Sequence, residues 1–340
     1  MTATARSPLK TLGIAGAGAW GTALALTARR AGLGVVLQAH EAAVAAAINR
    51  EHENKAFLPG IALDPAIRAT TDLAELAAAD ALLLAAPAQH LRAVSAALAK
   101  SVRPGTPAVV CAKGIEQGTS ALMSEVVAQA LPQAAVAVLS GPTFAVEVAR
   151  QLPTAVTLAA DDAMLARTLA AALGTARFRI YHSTDVVGVQ IGGAVKNVLA
   201  IACGIVEGRG LGDNCRAALI TRGLAEIARL GMAKGGRMET LMGLSGLGDV
   251  SLTCTAMQSR NFSLGHALGQ GEPLEKILAG RTSVAEGLFT AASVVELART
   301  LDVDLPISRA VDGIVNRSAD IDATIDALLS RPFKAETPDN

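Results

Sequence analysis

The chain has 340 residues, enough for two domains with separate cores, and its formal net charge of +0 offers no bulk attraction to nucleic acid or an anionic membrane. Apolar residues make up 51% with only 2% aromatic, which points to helices packed through small side chains; runs such as Val198 to Val206 are far shorter than a bilayer span, so none is expected. The cysteines Cys111, Cys203, Cys215 and Cys254 stand singly and Met1 to Lys10 carry no apolar signal region, which together read as a cytoplasmic protein with reduced thiols.

Residues Thr11 to Ala15 form a short apolar run that reads as a strand, followed at once by Gly16-Ala17-Gly18-Ala19-Trp20-Gly21. A helical pattern through Leu24, Leu26 and Ala28 runs on to Gly32, a plausible C-cap, and a second strand is expected from Val35 to Gln38. Strand, G-x-G-x-x-G, helix and strand in this order form the context that turns a weak glycine signal into a dinucleotide fingerprint. The glycines permit a tight turn, close approach of backbone to a pyrophosphate, and close helix–strand packing. The phosphates then lie on a helix N-terminus, whose free N–H groups and dipole favour anions. The plainer reading is a glycine turn without a ligand.

The acidic residue that would bind an adenosine ribose in NAD enzymes is missing, since the second strand ends Gln38-Ala39-His40 and Glu41 comes too late. Without a carboxylate there, a 2′-phosphate is not repelled. With His40 nearby, and Arg50 a further candidate, NADP is acceptable. His40 reads equally as an exposed histidine at a helix start.

The alternation continues with strands expected at Asp80 to Ala86, Pro107 to Cys111, Ala134 to Ser140, Thr154 to Ala159 and Arg177 to Tyr181. Helical patterns lie between them at Gln89 to Lys100, Ser120 to Ala130 and Asp162 to Leu173. Such alternation specifies a Rossmann-type, doubly wound, mostly parallel sheet covered on both faces, with ligands gathered at the C-terminal strand ends. Pro87, Lys113 and Gly141 to Thr143 fall at those ends. Lys113 reads either as a phosphate or carboxylate contact or as a solvated loop lysine.

After Tyr181 helical periodicity dominates from Val186 to Leu329. The boundary is expected near Ser183 to Val189, giving a dinucleotide-binding domain at 8–185 and an all-helical C-terminal domain at 186–332 for substrate and catalysis. Glu336 to Asn340 read as a disordered tail. The second domain opens on Gly192-Gly193-Ala194-Val195-Lys196-Asn197. A lysine within so apolar a run either snorkels to the surface or is buried, with its pKa lowered toward the range useful for proton transfer. Asp249, before Ser251-Leu252, reads as a helix N-cap or a polar site residue. Ser259-Arg260-Asn261 would place a guanidinium fork beside the free N–H groups of a helix start, a good anion site, though Arg260 and Asn261 also suit a plain surface. The histidines His40, His52, His90, His182 and His266 are scattered without ligand spacing, so no metal is expected.

At these residues the chain resembles bacterial NAD(P)-dependent glycerol-3-phosphate dehydrogenase. The matching stretches are GAGAWGTALA from Gly16, AKGIE from Ala112, SGPTFAVE from Ser140, GVQIGGAVKNVLAI from Gly188, ALITRGLAE from Ala218, GLSGLGDVSLTCT from Gly243, QSRNF from Gln258 and VAEG from Val284. They span nearly the whole chain in the family's order. The resemblance implies hydride transfer between NADP (NAD also accepted) and the pair dihydroxyacetone phosphate and sn-glycerol 3-phosphate, supplying glycerophospholipid synthesis. It implies Lys196 as general acid–base, with Asn197, Asp249 and Thr253 positioning it and the substrate hydroxyls. Ser259, Arg260 and Asn261 would hold the substrate phosphate, and Lys113, Gly141 and Thr143 would reach the substrate from the sheet. Cofactor contacts are implied at Gly16, Gly18, Ala19, Trp20, Gly21, His40, Lys113, Ala145, Arg260, Val284 and Glu286. Two departures stand out: Ala19 where relatives often carry serine, and Gln38 where they often carry tryptophan. A homodimer is the expected assembly. The competing readings are a related two-domain dehydrogenase of hydroxy acids or hydroxyacyl substrates, and a dinucleotide sensor without catalysis.

Overall fold

The computed structural model describes residues 9–281 and 285–332, so Val284 and the tail Glu336 to Asn340 lie outside the described residues. The strands are β1 (Thr11–Ala15), β2 (Gly34–Gln38), β3 (Glu53–Asn54), β4 (Leu58–Ala62), β5 (Ile67–Thr70), β6 (Ala81–Leu84), β7 (Pro107–Val110), β8 (Ala135–Ser140), β9 (Thr154–Ala159) and β10 (Phe178–Ser183). Eight of them form one sheet in the order β10-β9-β8-β7-β6-β1-β2-β5, and β3 pairs antiparallel with β4 as a separate ribbon. Every sheet pairing is parallel except β8 with β9. The central strands β6 and β7 are buried along their whole length, as a sheet covered on both faces requires.

The helices α1 (Ala19–Arg30), α2 (Ala42–Glu51), α3 (Leu91–Leu98), α4 (Met123–Ala130), α5 (Ala145–Ala149) and α6 (Ala163–Leu173) accompany the sheet. The expected helix at Asp162 begins as its sequence suggests, with the Asp162 carboxylate accepting the Met164 N–H at 2.8 Å. Three strands went unanticipated, the short edge strand β5 and the two of the ribbon β3–β4, as did the helices α2 and α5. Each strand is short, and β4 contains a proline and a glycine, so no run of alternating or continuous apolar residues marks the three.

Beyond the sheet, α7 (Val186–Gly208) and α8 (Gly212–Ala233) begin the helical half. In α7 every residue from Gly188 to Val206 is buried. It is 23 residues long and holds an 18-residue window with a mean hydropathy of 1.7, the length and composition of a membrane span, where the sequence led us to expect none. All of that window is buried inside the protein, so α7 is a core helix, apolar on every side because every side is covered. Glycines let a neighbour in: a Cβ on Gly204 would lie 2.1 Å from the Phe262 carbonyl oxygen, and one on Gly265 would lie 2.0 Å from that of Ile201. The helix Arg260–Gly269 thus packs backbone to backbone on α7. Asp185 fixes the entry to α7, its Oδ1 accepting Gly188 N–H at 2.8 Å and its Oδ2 accepting Arg237 N–H at 2.8 Å.

Candidate active site

The glycine turn after β1 divides its labour as the fingerprint demands. Gly16 has φ +106°, and a Cβ there would come within 2.8 Å of the Ala86 nitrogen. A Cβ on Gly21 would lie 1.9 Å from the Gly16 carbonyl oxygen, so α1 rests directly on the turn. Gly18 is different: a Cβ there would meet no atom within 4 Å, and Gly18 caps α1 without any side chain closing the helix end. The turn is therefore tight toward the sheet and open in front of free N–H groups, the shape a pyrophosphate needs. Ala19 and Trp20 open α1, with the Trp20 Nε1 buried and unpartnered and its ring 6.4 Å from that of Phe178. Ala145 opens α5, and His40 stands exposed just past β2. Gln38 turns inward and donates to the Ala39 carbonyl at 3.0 Å, while Arg50 is exposed and bonded to Glu51.

At the same C-terminal edge of the sheet, Lys196 projects from α7 with 6% exposure. Its Nζ donates to Asp249 Oδ1 at 2.6 Å and to Thr253 Oγ1 at 2.7 Å. Asp249 is fully buried, and its Oδ2 accepts Lys113 Nζ at 2.6 Å. Lys113 also donates to the Gly141 carbonyl at 2.8 Å. One carboxylate therefore holds two ammonium groups, leaving the cluster one positive charge in excess. Burial pushes the Lys196 ammonium down to about 8; Asp249 opposes that shift and the Lys113 charge adds to it. The snorkelling reading of Lys196 is set aside by its burial. Asp249 does not serve as an N-cap, because Gly248 holds that position before the helix Asp249–Thr253. Lys113 is not a solvated loop residue but an ion-pair partner with a side chain 17% exposed.

The remaining polar residues join the two halves. Asn197 donates to the Lys113 carbonyl at 3.4 Å and accepts Asn261 Nδ2 at 2.9 Å. Asn261 Oδ1 in turn accepts the Gly287 N–H at 3.0 Å. Ser259 caps the helix Arg260–Gly269 by accepting Phe262 N–H at 3.2 Å. Arg260 is exposed at the first helical position and forms no ion pair among the described residues. Thr143, half-buried, donates to the Gly141 carbonyl at 3.3 Å. Glu286 accepts Ala88 N–H at 3.2 Å, and burial raises its carboxyl above the usual range. Its Oε2 has no partner, nor do the buried hydroxyls of Thr290 and Ser140. Ser140 ends β8, and Thr290 lies within the helix Gly287–Thr300; the sequence marked neither hydroxyl as a site group. Val284 lies outside the described residues.

The model of the N-terminal part of NAD-dependent glycerol-3-phosphate dehydrogenase matches residues 11–166, and the model of its C-terminal part matches residues 185–326. The chain belongs to that family. It is an NAD(P)-dependent oxidoreductase. A glycerol-3-phosphate dehydrogenase [NAD(P)+] of Parvibaculum lavamentivorans is 58% identical over 326 residues, covering 96% of this chain and 98% of the relative. One from Paramagnetospirillum magneticum is 69% identical over 255 residues, 75% of this chain and 93% of the relative. The crystal structure of glycerol-3-phosphate dehydrogenase from Coxiella burnetii superposes with a TM-score of 0.91 at 39% identity, covering 95% of this chain and 99% of that one.

Proposed function

We propose that the chain interconverts dihydroxyacetone phosphate and sn-glycerol 3-phosphate with NADPH as preferred carrier and NADH accepted, supplying glycerophospholipid synthesis. The observation that carries this reading is the buried Lys196 amine, whose pKa of about 8 suits it to give and take a proton at neutral pH. In this reading residues 8–185 hold the dinucleotide and 186–332 complete the substrate site. Gly16, Gly18, Ala19, Trp20 and Gly21 hold the pyrophosphate, and Ala145, Arg260 and Glu286 the rest of the cofactor. His40 stands where a 2′-phosphate would be met. When bound, the nicotinamide supplies or accepts the hydride at C2 of the substrate.

During reduction Lys196 gives its proton to the C2 oxygen, and during oxidation the neutral amine takes it back. Asp249 and Thr253 hold Nζ in one place, so no reorientation is needed at the moment of transfer. The excess positive charge of the Lys113–Asp249–Lys196 cluster favours the negative charge that develops on that oxygen. Arg260, Ser259 and Asn261 grip the phosphate from a helix start, which orients the carbonyl through binding remote from the reacting carbon. Gly141 and Thr143 bound the substrate on the sheet side.

We place the enzyme in the cytoplasm as a homodimer. The four cysteines are free, and burial raises the Cys254 thiol and pushes that of Cys111 up to about 12, as suits reduced structural thiols. Exposed Leu211, Met232, Met238 and Met242 on the helical half offer a surface for a second copy. The decisive assay follows NADPH oxidation with dihydroxyacetone phosphate. The reading is wrong if that substrate is inert while a non-phosphorylated keto acid is reduced. A monomeric mass in solution would remove the dimer.

A further inference from the structure

The ribbon β3–β4 stands apart from the main sheet and carries a buried asparagine that no step so far has used. Asn54 is 1% exposed, and its Nδ2 donates to the Ala17 carbonyl at 2.8 Å and to Thr22 Oγ1 at 2.8 Å. Its Oδ1 accepts the Phe57 N–H at 3.3 Å, so the whole carboxamide is engaged. Thr22, itself fully buried on α1, donates to the same Ala17 carbonyl at 3.4 Å. Ala17 sits between Gly16 and Gly18, in the middle of the phosphate turn. Two donors from outside the turn thus converge on one of its carbonyl oxygens.

The consequence follows from peptide geometry. A trans peptide unit is planar, so its N–H points opposite to its C=O. Holding the Ala17 oxygen toward Asn54 and Thr22 turns the Gly18 N–H away from them, at a residue where an added Cβ would meet nothing within 4 Å. Left free, that peptide could flip and present a carbonyl oxygen to the phosphates, replacing an attraction with a repulsion. Glycine on one side of the bond makes such a flip easy.

We propose that Asn54 is a positioning residue for the dinucleotide pyrophosphate: it pins the Ala17 carbonyl inward, with Thr22, so that the Gly18 N–H faces the anion. This role rests on the dinucleotide reading above. It concerns the part of the cofactor common to NADPH and NADH, which separates it from any effect at the adenosine end near His40.

The test titrates NADPH and NADH fluorescence against wild type, Asn54→Asp and Thr22→Val, alongside kcat, KM and Tm. Asn54→Asp keeps the shape and the acceptor for Phe57 but removes both donors and adds a carboxylate charge, so the uncharged Thr22→Val is the arm that separates lost positioning from charge repulsion. Its Kd for each cofactor should rise about ten-fold, by the same factor for both, while kcat at saturating cofactor is retained. Thr22→Val should act in the same sense by about three-fold, and it decides the matter if Asn54→Asp does not fold. A lowered Tm with unchanged Kd would overturn the role and leave Asn54 a structural weld. A Kd that rises for one cofactor alone would also overturn it. Wild-type chain binding neither cofactor would defeat the dinucleotide reading itself, whereas tight wild-type binding with unchanged variants defeats the Asn54 role alone.

Discussion

Between Gly16 and Gly21 a site is made from six neighbouring residues and their backbone, whereas Asp249 meets Lys196 and Lys113 across 53 and 136 positions of sequence. The first works by leaving things out: missing Cβ atoms and an uncapped helix end. The second works by enclosing things: two ammonium groups and a carboxylate held where water is scarce. A backbone site binds an anion without titrating and tolerates pH. A buried side-chain cluster can store a proton, at the cost of depending on several elements at once. The proposed mechanism thereby gives binding and chemistry to structures of different kinds.

The sharpest break comes from Lys196→Met. It should lower kcat with dihydroxyacetone phosphate and NADPH by about 10²–10⁴, the usual weight of a general acid–base, and leave the NADPH Kd unchanged. Retained turnover would mean that the two regions do not divide binding from proton transfer. Next in size, Arg260→Ala should reduce kcat/KM for dihydroxyacetone phosphate by about 10², as loss of charge-assisted hydrogen bonds would. Turnover of unphosphorylated dihydroxyacetone should change far less, and an equal loss for both substrates would remove Arg260 from phosphate binding.

Gly21→Ala tests the other region. Its Cβ would lie 1.9 Å from the Gly16 oxygen, a backbone atom with nowhere to go. The substitution should destabilise the protein by about 1–3 kcal/mol and raise the KM for either cofactor, with kcat less affected. Wild-type Tm and KM would show that the turn is looser than its geometry.

The mildest test is the pH profile. In the proposed mechanism reduction needs the Lys196 ammonium, so its kcat/KM should fall as pH rises through about 8, and oxidation of sn-glycerol 3-phosphate should rise over the same range. Because the Lys113 charge helps lower that pKa, Lys113→Met should move both inflections upward, and an unmoved inflection would place the titration elsewhere. The same group affects stability. Its folded pKa of about 8 lies below the ordinary lysine value of 10.5, so across that window the unfolded chain binds more protons and stability should rise with pH. Lys196→Met should flatten that rise in a denaturant series.

The amino-acid sequence by itself determined the sheet's buried strands, the phosphate turn and the helical second half, because each is written in contiguous residues: apolar runs, glycine spacing and helical period. Short elements escaped it. The edge strand Ile67–Thr70 and the ribbon around Asn54 lack a long enough pattern, and their pairing comes from what they pack against. The motifs around Lys196, Asp249 and Arg260 were visible as a resemblance, yet nothing local told an N-cap Asp249 from a buried counter-ion, or a solvated Lys113 from its second partner. Tertiary structure alone decided those, since burial and charge pairing are properties of the folded surroundings. Only packing on every side turns α7 from a stretch fit to cross a membrane into the core helix that keeps Lys196 dry.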